Sequence, residues 1–515
     1  MYSHSEKLLQ RRDILRAMAT FGTGSLLPGV VSDPPTVFAD NFDFPSPRPD
    51  LIREENARPG TRDWMLANTQ VDSTTKYRSP SIEGYASKNS VAVGDSISLH
   101  VSCNPSTAFH MDIYRSGFYG GKGGRQVASI GPLKGSTQDD PPVGSRRLRE
   151  CQWDVCKTLT IPENWTSGVY LCKLTAMESG LQSYITFIVK DNRQVDFLFQ
   201  CSDTTWNAYN RWPSQYSLYD NQETVWYWGA GVDTSFDRPY GKYCQIFDAP
   251  LTTGSGEWFC WEYPISFWME SRGYDISYCS NLDTHADGPG LMRAKAMLSV
   301  GHDEYYSLEM FHNLRAAIRD GLNVAFLSGN TCCGLLEMKA SSDGRRNRII
   351  TRVDRYGPRD QIGDNLFHSM KTLPRTGPNE NTLIGARSTG PIVGGADWIC
   401  QSPDHWLFDN TGMKKGDGIA GLVGWEWHGD PANIPGLEVI AQGTTESSAG
   451  NGTYTSTVYP GPMGNLVFNA STCWWGDGLS QPPGYVRPSA HGASPQGPDK
   501  RVQVITANLL KRLSS

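Results

Sequence analysis

The chain has 515 residues, with 47 Lys and Arg against 53 Asp and Glu and a formal net charge of −6. At roughly 150 residues per domain that length predicts two or three domains. The near balance of charge excludes the strongly basic face that nucleic-acid binders show. An evenly spread hydrophobic content of 38% excludes a disordered chain, and past residue 40 no apolar run reaches the ~18 residues of a membrane span.

Read in chain order, the first 39 residues carry the pair Arg11-Arg12, then Ile14-Leu15-Arg16 and a mild Gly/Ala-rich apolar stretch that closes at Val37-Phe38-Ala39. This resembles a twin-arginine signal and predicts export to the periplasm or the medium; a chain whose signal is not used stays cytoplasmic. Residues 40–80 read as an extended lead-in. Residues 81–192 hold short alternating strands (96–102, 109–114, 156–161 and 168–175) with a glycine-rich turn at Gly117–Gly124, which predicts an antiparallel β-sandwich. Twelve cysteines without a C-x-x-C pair exclude zinc-ribbon spacing. Cys103, Cys151, Cys156 and Cys172 fall in the strand-rich segment, where one or two disulfides are expected.

Residues 193–515 predict a different architecture. Val195–Gln200, Tyr274–Tyr278, Ala296–Val300 and Val324–Ser328 read as buried strands. Between them lie a helix from Glu257 to Arg272 stopped by Gly273, a short one at Leu291–Lys295, and one capped by Ser307. That last helix carries Met310, Leu314 and Ile318 on one face and ends at Gly321. The alternation implies a doubly wound parallel sheet. From Cys332 to Ser480 the pattern reads as Gly/Pro-rich loops with short strands, and Val502–Leu513 as a final helix. Ligands of such sheets sit beyond the carboxyl ends of the strands. That rule places Cys201–Trp206, Gly301–Tyr306 and Ser328–Thr331 on one rim.

Gly301-His302-Asp303-Glu304-Tyr305 concentrates ionisable groups in a strand-to-helix turn, where His and Asp could equally serve only to cap the helix. No second His stands at helical spacing, no G-x-S-x-G elbow occurs, and Cys332-Cys333 read as core or disulfide cysteines, so zincin, serine-hydrolase and cysteine-elbow chemistry are unsupported. Tyr305, and Tyr263 in Glu262-Tyr263-Pro264, are phenols of the kind that ligate a hard, trivalent metal.

Six segments carry a resemblance. They are Asp203–Asn210, Ser235–Tyr240, Trp261–Pro264, Gly301–Tyr305, Asp404–Trp406 and Gly421–Trp427. In this order they are similar to the large (beta) subunit of N,N-dimethylformamidase and its relatives, over roughly residues 80–512. The resemblance implies a glutamine-amidotransferase-like α/β domain joined to a β-rich one, and a mononuclear iron, Fe(III), held by two tyrosines and a carboxylate. Carried onto this sequence, the ligands are Tyr263, Tyr305 (with Tyr306 as fallback) and Asp364, which stands in Gly363–Phe367 where the family has Glu. Glu337 and Glu426 are the alternatives for that third position. Glu426 in Gly-Trp-Glu-Trp is the candidate general base, and His302 and Asn330 are candidate oxyanion donors. Trp206, Trp261, Trp425 and Phe267 are candidates to wall a pocket for a small N-alkyl amide. The implied activity is metal-dependent amide hydrolysis of a small-molecule substrate, with a small helical partner subunit as in the family's relatives; a homo-oligomer is a further open expectation. Another hydrolase or lyase on the same scaffold, or a secreted binding protein without metal, are the rival readings.

Overall fold

The computed structural model describes residues 44–74, 77–241, 252–357, 377–390, 395–447, 450–487 and 497–515, all within one unit, Phe38–Ser515. The lead-in contains helix α1 (Leu51–Asn56), which sends Glu55 inward to accept from Arg125 Nε at 2.7 Å and Tyr119 OH at 2.7 Å. Eight strands follow: β1 (Glu83–Ala86), β2 (Ser90–Ala92), β3 (Ser96–Ser102), β4 (Ala108–Ser116), β5 (Gly124–Lys134), β6 (Val155–Thr160), β7 (Gly168–Ala176) and β8 (Gln182–Lys190). They form a three-stranded sheet, β1-β3-β6, and a five-stranded sheet, β2-β8-β7-β4-β5. Strand periodicity of two puts Ile97, Leu99 and Val101 of β3 and Phe109, Met111 and Ile113 of β4 into one apolar cluster shared by both sheets. The pairings are antiparallel except β2 with β8. Cys103, Cys151, Cys156 and Cys172 are free thiols, so the expected disulfides of this segment do not form.

The remainder alternates strand and helix. In order come β9 (Val195–Cys201), α2 (Asp203–Tyr209), β10 (Asp233–Ser235), α3 (Trp258–Trp261), α4 (Tyr263–Arg272), β11 (Ile276–Ser280), α5 (Asn281–Ala286), β12 (Ala294–Gly301), β13 (Tyr305–Ser307), α6 (Leu308–Arg319) and β14 (Asn323–Ser328). Then follow β15 (Gly334–Lys339), β16 (Ile349–Arg355), α7 (Asn381–Ile384), β17 (Ala386–Thr389), β18 (Gly395–Ile399), β19 (Gly418–Gly424), β20 (Trp427–Pro431), β21 (Glu438–Ser447), β22 (Gly450–Pro460), β23 (Leu466–Asn469) and α8 (Lys500–Leu513).

The central sheet has seven strands in the order β11-β9-β12-β14-β23-β22-β21. The first five run parallel and the β21–β22 hairpin closes the edge antiparallel. Strand order reverses between β9 and β12, which makes their carboxyl ends the switch point where an open α/β sheet leaves a crevice. The architecture is mixed α/β, mostly sheet, with no barrel among the described residues. Ser307 caps α6 by accepting from Met310 N at 3.1 Å, and Gly273 ends α4 in the left-handed region at φ 70. The helix expected from Glu257 to Arg272 breaks at Glu262 into α3 and α4. The loops expected between Cys332 and Ser480 include the two longest strands of the central sheet.

One buried ion pair joins the β-rich segment to the α/β part. Arg115 of β4 donates to Glu270 of α4 at 2.8 Å and 3.0 Å, and neither side chain is exposed. Two opposed charges out of water are tolerable only together, so this joint needs both partners.

Candidate active site

Residue Gly301 ends β12 with φ 72, and a Cβ there would run into Cβ of Trp261; only glycine fits both demands. The chain then turns through His302 and Glu304 into β13. Thr205 of α2 fixes this turn by accepting from Glu304 N at 3.0 Å. Nε2 of His302 lies 2.5 Å from Glu426 Oε2 and 3.4 Å from Glu304 Oε2. Glu426 stands between β19 and β20, just after Trp425 at φ 60. Asn330, itself left-handed at φ 51, donates from Nδ2 to the same Glu426 oxygen at 2.8 Å. Rings surround the imidazole: Tyr209, Trp261 and Trp425 have centroids 5.5, 6.0 and 6.2 Å away.

Beside this pair lies a knot of phenols. Oε2 of Glu304 accepts from Tyr209 OH at 2.8 Å and from Tyr219 OH at 3.4 Å. The hydroxyls of Tyr219 and Tyr305 are 2.6 Å apart, and Arg352 Nη1 donates to Tyr305 OH at 2.8 Å. The Arg352 guanidinium is fully buried and lies 4.9 Å from the ring centres of Tyr219 and Trp228; among the described residues it forms no ion pair with a carboxylate. The groups it faces are phenolic oxygens and the carbonyls of Leu218, Tyr227 and Gly229.

Burial dominates the electrostatics. Loss of water pushes the Glu304 carboxyl up to about 8, with the Glu426 charge adding to it, and pushes Glu257 up to about 8. Burial lowers His302, but the Glu426 charge and hydrogen bond outweigh it and raise the imidazole to about 9. Four buried atoms of the site make no hydrogen bond among the described residues: Glu304 Oε1, Glu257 Oε1, His302 Nδ1 and Asn330 Oδ1. Orphaned polar atoms at this density mark a place where something polar binds.

The fold therefore brings His302, Glu426, Asn330 and Tyr305 together from three separate strand ends. Tyr263 is not with them. At the first turn of α4 its ring packs among Trp64, Trp258, Phe259 and Phe267, and its hydroxyl lies against Gly123 of the β-rich segment. Helical geometry turns the neighbouring Glu262 toward the strand ends instead, where it accepts from Ser202 N at 3.2 Å and Trp206 Nε1 at 2.8 Å. Asp364 lies outside the described residues. Glu337 is exposed on β15. Tyr306 points away and donates to Asp303 Oδ2 at 2.7 Å; Asp303 also accepts from Gln200, Ser299 and Asn281 and ties the strand ends together.

Of the aromatic residues expected to wall a pocket, Trp261 and Trp425 flank His302, Trp206 is committed to Glu262, and Phe267 packs with Phe118 and Tyr263. Both His302 and Asn330 face Glu426 rather than open space, so they act on that carboxylate first. The residues that sequence reasoning left without a role are Glu257, Glu304, Tyr209, Tyr219 and Arg352. Glu304 and Tyr209 sit inside two of the quoted motifs; nothing local marks Tyr219, Arg352 or Glu257.

The family model for N,N-dimethylformamidase beta subunit-like proteins, C-terminal, matches residues 110–489. The chain belongs to that family. A search of curated proteins finds no match. Membership points to a hydrolase of the dimethylformamidase-like kind. In this dimethylformamidase-like chain the matched stretch contains the whole cluster, from Tyr209 to Glu426. No helix among its described residues is long and apolar enough to cross a membrane.

Proposed function

We propose that the chain is a metal-assisted hydrolase of small N-substituted amides. The observation that carries this reading is the convergence, at the switch point of the sheet, of a charged Glu426–His302 pair with two touching phenols and a carboxylate that has an unpartnered oxygen. Tyr263 and Tyr305 do not form a donor set, because their hydroxyls face different neighbours. Tyr219, Tyr305 and Glu304 do: all three are buried and their oxygens adjoin; burial pushes both phenols well up, Arg352 opposes that shift, and coordination to a trivalent ion would supply the rest of the charge a phenolate needs. Two phenolates and a carboxylate are hard oxygen donors suited to Fe(III).

When bound there, iron would act as a Lewis acid toward the amide carbonyl. The remaining chemistry belongs to the chain. Glu426 takes a proton from the attacking water, and Asn330 and His302 hold that carboxylate in place. As a cation, His302 is the donor that returns a proton to the leaving amine, so the products are a carboxylic acid and an amine. Trp261, Trp425 and Tyr209 ring His302 with apolar surface, and an amide held there would meet aromatic walls suited to short N-alkyl groups.

The same reading takes residues 81–192 as a β-sandwich and 193–515 as a glutamine-amidotransferase-like domain, supported by the two-sheet cluster and by the strand order at the switch point. It takes the protein as exported, supported by the Arg11-Arg12 pattern, and as a candidate for a small helical subunit, supported by the family resemblance. The test is to incubate purified protein with N,N-dimethylformamide and measure formate, dimethylamine and iron. Release of both products with about one iron per chain is expected. Protein that holds no metal and releases no amine overturns the proposal.

A further inference from the structure

Cys473 is a buried nucleophile that the hydrolytic reading leaves unused. It follows β23 at the start of a single turn, Cys473–Gly476, whose cap is Thr472, accepting from Trp474 N at 3.0 Å. Its backbone N donates to Glu426 O at 3.4 Å, and its thiol makes a weak contact, 3.6 Å to Gly329 O. That placement brings one donor atom each of His302, Glu426 and Cys473 within 4.8 Å of one another, with all three residues buried.

We propose that His302, Glu426 and Cys473 form a second cation site, for a borderline-soft divalent ion of the zinc class, and that filling it disables the acid–base pair. Nitrogen, oxygen and sulfur donors select zinc or cadmium over magnesium or calcium, and over the Fe(III) that suits the oxygen-only set of Tyr219, Tyr305 and Glu304. Bond lengths of about 2.0–2.3 Å put the donors of a tetrahedral zinc roughly 3.3–3.8 Å apart, so the Cys473 thiol closes by roughly 1 Å while the His302–Glu426 hydrogen bond, 2.5 Å, opens by roughly 1 Å to admit the ion. A fourth donor is at hand in the oxygen Asn330 Oδ1, which is buried and has no partner among the described residues.

Charge also balances. A thiolate and a carboxylate neutralise a divalent ion, which a low-dielectric interior requires. Binding releases the thiol proton, because the metal takes the thiolate. With the ion in place the Glu426 charge is drawn to the metal, which makes the carboxylate a weaker base toward water, and His302 has no proton at its coordinated nitrogen for the leaving amine. Only this consequence rests on the hydrolase reading; the binding itself does not.

The experiment titrates the purified full-length protein with Cd2+ and with Zn2+, following heat, released protons and the ultraviolet thiolate-to-cadmium band. The native protein should take up one equivalent with that band. The variants Cys473→Ser and Cys473→Ala should lose the band and at least 100-fold in affinity. Both variants should keep the rate of amide hydrolysis measured without added zinc or cadmium within twofold and resist inhibition by zinc. A native protein without the cadmium band, or a Cys473→Ser protein that binds as tightly as native, overturns the site. Zinc that binds through Cys473 yet leaves amide turnover intact overturns the blockade. Iron at the phenols is scored separately by its own colour, so the failure of one site does not mimic the failure of the other.

Discussion

Replacing Glu426 by Gln keeps the shape of the side chain and removes its charge, which isolates what the carboxylate does to His302. Burial alone pushes the imidazole below its ordinary 6.5; the Glu426 charge and hydrogen bond, at 2.5 Å, reverse this and carry it to about 9. At pH 7.5 a gap of about 1.5 units leaves the native ring about 30:1 protonated. In the variant the remaining carboxyls near the ring, Glu304 and Glu257, are still pushed up by burial, the largest cause of their shifts, although each loses the part that the Glu426 charge adds. His302 then falls below 6.5, to about one-tenth protonated or less at pH 7.5. The change is about 2.5 units or more, about 3.4 kcal/mol at 1.36 kcal/mol per unit. Ring-nitrogen shifts of 15N-labelled histidine at pH 7.5 read it directly, and the loss of the base should lower amide turnover by about 10²–10⁴-fold. A variant whose His302 still shows imidazolium shifts, or whose turnover stays within tenfold of native, refutes the coupling.

Three further outcomes follow from the geometry. Glu257 and Glu304 rise from 4.5 to about 8 on folding and His302 from 6.5 to about 9. The folded protein thus holds more protons than the unfolded chain across that window; this stabilisation is full below the unfolded values and is lost as pH climbs through 8 and 9, by about 1.4 kcal/mol per unit for each proton. Thermal midpoints should fall between pH 6 and pH 9, and a midpoint that rises over that range contradicts the assignment. Gly301→Ala places a side chain at φ 72 against Trp261, which should cost about 2 kcal/mol or more and lower the unfolding midpoint; an unchanged midpoint would show that the turn relaxes freely. Glu270→Gln strands the Arg115 charge in the interior and should destabilise by about 3–5 kcal/mol, whereas Glu54→Gln, which breaks the exposed pair with Arg48, should cost about 0–1 kcal/mol in the same denaturant titration.

Much of the sheet is readable from local pattern. The apolar runs at Val195, Ala296 and Val324 mark its parallel strands, and Ser307 and Gly273 mark helix ends, because caps and buried strands leave short-range signals. The β21–β22 hairpin leaves none. Its Thr-, Ser- and Gly-rich strands look like loop, and only pairing with β23 makes them part of the core. At the site, Gly301–Tyr305 and Glu426 are visible as clustered ionisable residues. Tyr219 and Arg352 are not, since their meeting with Tyr305 spans 86 and 47 residues of chain and is decided by long-range folding. Tyr263 misleads for a related reason. Its motif places it beside Glu262, but successive residues on a helix point in different directions, and only Glu262 faces the strand ends.

The most direct measurement compares metal content in two single-oxygen deletions, Tyr219→Phe and Tyr263→Phe. If the ion sits between Tyr219, Tyr305 and Glu304, the first variant loses iron and its phenolate colour while the second, whose hydroxyl has no hydrogen-bond partner among the described residues, keeps both. The reverse pattern, with iron lost on removing the Tyr263 hydroxyl and retained without that of Tyr219, would contradict the account at its centre.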